Sequence, residues 1–107
     1  MYSINGTKIT LTRGDTFNCN IGITEDNNPY VPESGDVIRF AMKRSYADAE
    51  AVVEKIIPND TLDLHLDPED TADLSAIQYV YDIELTKANG DVDTFIRGTV
   101  NLTPDVI

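Results

Sequence analysis

The 107-residue chain contains no tryptophan, one cysteine and one histidine, and each scarcity removes a class of chemistry. A lone Cys19 cannot close an internal disulfide, and one cysteine with one histidine is a poor ligand set for zinc. A histidine-based triad would need a nucleophile and an orienting acid to converge on His65. Ser3, Ser34, Ser45 and Ser75 all fall in loop or cap contexts, and no G-x-S-x-G elbow is present. Basic residues are also scarce: eight Lys and Arg stand against nineteen Asp and Glu, for a net charge of −11. Nucleic-acid binding needs cationic surface to release counterions from phosphates, so nucleic acid and anionic membrane are not expected partners. No stretch approaches the roughly 18 apolar residues of a membrane span. The N-terminal "MYSINGTKIT" lacks the basic and apolar regions of a signal peptide. Synthesis in the cytoplasm is therefore expected, with exit only inside an assembly or by lysis.

What the sequence has in abundance is alternation of apolar and polar residues, the signal of half-buried strands. "TFNCNIGIT" sets Phe17, Cys19, Ile21 and Ile23 on one side, which predicts a buried Cys19 thiol acting as a small hydrophobe. "DVIRFAMKR" places Ile38, Phe40 and Met42 inward, with Arg39 and Lys43 outward. "LDLHL" alternates Leu62, Leu64 and Leu66 against Asp63 and His65, making His65 a surface residue. "QYVYDIELT" alternates Tyr79, Tyr81, Ile83 and Leu85 against Val80, Asp82 and Glu84. "FIRGTVNLT" offers Ile96, Val100 and Leu102 with Gly98 between them, and a short "KITLT" precedes the rest.

Turn clusters at 25–29, 33–36, 58–60 and 88–91 punctuate the strands. Asn89-Gly90 predicts a type I′ hairpin turn, with positive φ at both residues. "DPEDTADL" (67–74) starts with a capping Asp followed by Pro and acids, the pattern of one or two helical turns. For 45–57 the expectation is a loop to about residue 50 and then a strand, since "VVEKII" is β-branched. A helix over 46–56 is the alternative, because Ser45 and Asp48 form a capping-box-like start.

About seven short strands with one helical turn near 68–74 predict a single all-β domain over 1–107. The expected architecture is a two-layer antiparallel β-sandwich, immunoglobulin-like in layout only, because the Cys…Trp…Cys pattern is missing.

No catalytic, cofactor-binding or metal-binding residue is assigned. "NGDVD" (89–93) spaces Asn89, Asp91 and Asp93 as a calcium loop would, but the Gly and Glu of an EF-hand are replaced by Thr94 and Val100. "RGD" (13–15) is expected to be a turn between strands. Asp60, Asp63, Asp67, Glu69, Asp70 and Asp73 form an acidic run, expected to be a solvated face.

Several segments together carry a family resemblance: "LTRGDTF", "GDVIRFAMKR", "IPNDTLDLHLDPEDTADL" and "YVYDIELTKANGDVDTFIRGTVNLTPDV". In this order, from about Ile9 to Val106, they resemble the small β-sandwich domain of phage and prophage tail and baseplate structural proteins of Gram-positive bacteria. The chain is similar to the N-terminal domain of upper baseplate proteins. The resemblance implies a module that joins tail parts through protein contacts, including self-association, with no cofactor and no catalytic residue. Upper baseplate proteins continue into a linker and a region bearing receptor-binding trimers, whereas this sequence stops at Ile107. The resemblance therefore implies a supporting or connector role.

Two other functions stay open at this point. One is a small module binding carbohydrate or a host protein, for which Tyr2, Tyr30, Tyr46 and Phe95 are the aromatic candidates. The other is an acidic inhibitor of a basic partner, which would bind in a salt-sensitive manner.

Overall fold

Strand pairing begins at the segment with the clearest alternation, Gln78–Thr86, whose inward Tyr79, Tyr81, Ile83 and Leu85 are all buried. The computed structural model describes residues 2–25 and 27–106. In chain order the strands are β1 (Tyr2–Asn5), β2 (Lys8–Thr12), β3 (Phe17–Asn20), β4 (Thr24–Glu25), β5 (Asn28–Pro29), β6 (Val37–Lys43), β7 (Val53–Ile57) and β8 (Asp63–Leu66). One helical turn, α1 (Pro68–Thr71), then leads to β9 (Gln78–Thr86) and β10 (Val92–Thr103). A six-stranded sheet has the order β1-β2-β10-β9-β6-β7. The antiparallel pair β3–β8 forms a second, small layer, and β4–β5 is a minimal hairpin. No helix among the described residues is long and apolar enough to cross a membrane.

The all-β class therefore holds, with one departure from the expected antiparallel pairing. β2 and β10 run parallel, with Ile9 opposite Val100 and Leu11 opposite Leu102. These strands come from opposite ends of the chain, so no tight turn dictates their direction, and alternation looks the same either way. The strand order does not establish the immunoglobulin-like layout.

The core lies between the large sheet and β3–β8. It is built from the expected inward residues, including Phe17, Ile38, Phe40, Met42, Leu64 and Leu66. Phe40 and Tyr81 meet with ring centroids 5.4 Å apart, and Tyr2 packs edge-on against Phe17 at 4.7 Å. Buried phenol groups are satisfied: Tyr79 donates to the Ser75 carbonyl at 2.7 Å and Tyr81 to the Thr7 carbonyl at 2.9 Å.

Several local expectations need correction. Cys19 is only half-buried, because it borders a gap between the layers. Leu62 is not the first residue of its strand; at φ 56° it reverses the chain after the Pro58 turn, and β8 starts at Asp63. Its half-buried side chain still packs on the core. Ile96 is half-buried because a bulge between Thr94 and Ile96 shifts the register of β10 and adds Phe95 as the extra residue.

The 88–91 hairpin also differs in detail. Gly90 has φ 96°, while Asn89 is not in the positive-φ region. The Gly90 N–H donates to Lys87 O, and the Lys87 N–H donates to Asp91 O, both at 2.8 Å. This is a three-residue loop closed by a left-handed glycine rather than a type I′ turn. The Asn89 side chain accepts the Asp91 N–H at 2.9 Å, which occupies its oxygen locally.

The strand expected to run through Ile23 ends at Asn20, with Ile21 and Ile23 buried beyond it, while other local expectations stand. Residues 44–52 form a loop that leads into β7, so the helix over 46–56 does not form. The "RGD" segment is a turn, with the Asp15 N–H donating to Thr12 O at 3.1 Å. Within the 67–74 segment, α1 begins with Pro68 after Asp67, whose N–H donates to Asp70 Oδ2 at 2.7 Å. Of the 25–29 turn cluster, Asp26 lies outside the described residues.

Gly98 is the point where the β1–β2 turn closes on β10. A Cβ there would sit 2.0 Å from the Thr7 carbonyl oxygen, the same oxygen that accepts from Tyr81. Gly98→Ala is expected to destabilise the fold by about 3 kcal/mol, the upper end of overpacking costs, because backbone must move. Chemical denaturation of the variant against the parent checks this.

Candidate interaction surface

The polar side chains that sequence motifs bring to notice are mostly fastened to the fold. Arg13 of the "RGD" turn donates to Asp105 at 2.9 Å and to the Leu74 carbonyl at 3.2 Å. It thereby ties the end of β2 to the segments after α1 and β10, and it holds the Asp105 carboxyl below its ordinary value. The neighbouring Gly14 N–H donates to the hydroxyl of fully buried Thr71 at 2.9 Å.

His65 is exposed, as expected, and its ring contacts Asn18 and Asp67. Lys55 reaches from β7 to Asp70 at 2.8 Å. That hydrogen bond, with the surrounding acids, raises the Lys55 ammonium above its usual range. Asp63 accepts from Asn20 at 2.9 Å and Asp60 from the Thr61 N–H at 2.9 Å. The acidic run is therefore only partly a free solvated face. Four of its six members hold local structure together.

Among the described residues Asp36 is the most deeply buried carboxylate, at 7% exposure. It accepts the Tyr30 hydroxyl, the Glu33 N–H at 3.0 Å and the Ala88 N–H at 3.2 Å. Its carbonyl accepts from Asn59 at 2.8 Å. One residue thus pins three loops at one end of the sheets. The Tyr30 hydrogen bond above all, then the backbone donors and the Lys87 charge, hold its carboxyl below the ordinary range. Every oxygen of Asp36 is committed to the scaffold.

An apolar cleft of about 300 Å³ opens between the layers, bordered by Ile4, Cys19, Ile21, Leu64, Ile83 and Ile96 among others. Burial, reinforced by the Asp63 carboxylate, pushes the Cys19 thiol above its usual value. That makes it a poor nucleophile at neutral pH. Among the described residues no three His, Cys, Asp or Glu side chains gather as a metal set. The aromatic candidates do not converge on one platform. Tyr2 packs edge-on against Phe17, and Tyr30 is bonded to Asp36 with Lys87 5.2 Å from its ring centroid. Phe95 is half-buried at the bulge, while Tyr46 stands 68% exposed beside Val80 and Lys43.

Among the described residues no second layer covers the outer face of the six-stranded sheet. Register fixes which residues share it. Val37, Thr86 and Val92 form one row across β6, β9 and β10. Ile56, Arg39, Glu84 and Thr94 form the next, and Glu54, Ala41, Asp82 and Arg97 the third. Ile56, Val92 and Val37 are 65%, 60% and 42% exposed, so apolar side chains stand on three strands toward one end of this face, with Thr86 between the two valines. The 44–52 loop borders it, and Ala49 and Ala51 join Arg39, Glu54 and Glu84 around a depression of about 290 Å³.

The charge of this face differs from that of the molecule. Four of the eight basic residues (Lys8, Arg39, Lys43 and Arg97) stand on it with three of the nineteen acids (Glu54, Asp82 and Glu84). It is close to neutral, whereas the whole chain carries a net charge of −11. Alternation marked Arg39, Lys43, Asp82 and Glu84 as outward. It gave no sign that Glu54 and Arg97 lie in line with them, because that depends on the pairing of four strands.

The Asp36 cluster yields a pH dependence with a definite sign. The pKa of its carboxyl is depressed in the folded state, so its contribution is full above the unfolded value of ~3.9 and is lost as pH falls through the folded value. Asp36→Asn is expected to lower the melting temperature at pH 7. It should also flatten the loss of stability below pH 4, and thermal melts of both proteins between pH 2 and pH 7 check this. The Cys19 thiol is expected to be alkylated by iodoacetamide at pH 8 more slowly than a free cysteine, and to match it once the chain is unfolded in urea.

No protein-family model matches the chain, and no curated protein matches it.

Proposed function

We propose that the chain is a non-enzymatic assembly module of a phage or prophage tail or baseplate, acting through protein–protein contacts. The observation that carries this reading is the uncovered outer sheet face. Exposed Ile56, Val37 and Val92 there adjoin charged rows of both signs. Exposed aliphatics rimmed by polar groups are characteristic of interaction surfaces. The fastening of Arg13, Asp36 and Lys55 adds support, since these groups hold the scaffold and are not poised at a cleft. The order of segments that resembles tail and baseplate sandwich domains supplies the phage context.

The carbohydrate-binding alternative draws on Tyr46 alone, since Tyr2 and Tyr30 are engaged elsewhere. The acidic-inhibitor alternative is weakened by the internal use of Asp60, Asp63, Asp67 and Asp70.

Particles purified from the source bacterium after prophage induction, examined by quantitative mass spectrometry, test the proposal. The chain is expected at several copies per particle, cross-linked to a neighbouring structural protein. Intact particles that lack it, from cells that express it, would refute the assembly role.

A further inference from the structure

The rows on the outer sheet face carry a symmetry of charge. About a line running parallel to the strands, midway between β6 and β9, Arg39 and Glu84 are mirror positions in one row. In the adjacent row Glu54 on β7 and Arg97 on β10 are mirror positions at the next strand out. Each pair has opposite signs, and the signs invert from the inner strands to the outer ones. We propose that this face binds a second copy of the chain about a two-fold axis along that line. The proposal deepens the assembly reading above by naming a partner.

A two-fold rotation about this axis lays β6 of one copy over β9 of the other. Arg39 then faces Glu84 of the second copy, Glu54 faces its Arg97, and both contacts are repeated by symmetry, as an isologous interface requires. Lys43, whose row partner Val80 is neutral, comes diagonal to Asp82 across the interface. Aligned sheets pack about 10 Å apart and about 30° off parallel, so pairs close to the axis are kept and distant ones diverge. Arg, Lys and Glu side chains are long enough to span such a gap.

Electrostatics also selects this orientation against others. Two copies of a chain with net charge −11 repel wherever their acidic surfaces meet. The sheet face is the near-neutral surface, and its complementary signs turn that repulsion into pairing. The dimer should weaken with salt, because these charges lie near solvent.

Analytical ultracentrifugation of the full chain from about 5 to 500 µM, in low and high salt, reads the association directly. A monomer–dimer equilibrium is expected at low salt. Glu54→Arg and Arg97→Glu should each weaken it by about tenfold or more, and the double variant should return it to within about threefold of the parent. Both positions are exposed, so unchanged thermal melts separate an interface effect from a folding defect. A chain monomeric at every concentration overturns the proposal, as does a dimer unaffected by the single substitutions or a double variant no better than either one. Particle mass spectrometry keeps the two claims apart. A monomeric chain found in particles removes the two-fold contact and leaves the assembly role standing; a dimer absent from particles does the reverse.

Discussion

The register of β9 between β6 and β10 is the constraint on which the rest of the molecule depends. This strand bonds on both sides, and its side chains alternate between core and outer face. A slip of one residue against either neighbour would expose Tyr79, Tyr81, Ile83 and Leu85 and bury Asp82 and Glu84. Burying those four apolar side chains contributes about 1.5–3 kcal/mol each, so the correct register is strongly selected. The same register places Asp82 and Glu84 in line with Arg97 and Arg39. Core packing and surface charge pattern are therefore two results of one pairing.

Around this sheet, polar side chains serve as fasteners where strand pairing ends. Asp36 gathers the 30–36 loop, Asn59 and the 88–91 hairpin at one end. Arg13 and Thr71 join the β2 turn to α1 and to the segment after β10. Lys55 on the edge strand β7 is tied to Asp70, and an edge strand carrying a charged side chain toward the layers is a poor template for uncontrolled pairing. With this edge guarded and loops pinned, the broad outer face of the sheet stays open. The uneven charge follows from this division, since most acids lie on loops, on the small layer and around α1.

The strands were legible in the sequence because half-burial imposes a period of two, and β6 and β9 show it without interruption. The loop into β7 and the turn at 67–74 were legible from β-branching and from Pro68 after Asp67. What escaped was set by contacts distant in sequence or by one residue's backbone. The parallel pairing of β2 with β10 joins residues about 90 apart, and neither strand marks direction. The bulge at Phe95 leaves alternation readable on both sides and shifts only the phase. Asn89-Gly90 suggested two left-handed residues, but the loop includes Ala88 and needs only Gly90 in that region. Cys19 has the correct phase for burial, yet it sits where the two layers part. The proposed interaction face was half visible: outward charges could be named strand by strand, while their rows emerge only once four strands are in register.

Native-state hydrogen exchange of the backbone amides tests the role of β9 most directly. The hydrogen-bonded amides of Val80–Leu85 are expected to exchange at the slowest rates in the molecule, through global unfolding alone, while β1 and the β4–β5 hairpin exchange by local opening. Amides of β9 that exchange faster than those of β3–β8 or β1–β2 would contradict it. They would show that the sheet does not depend on its central register.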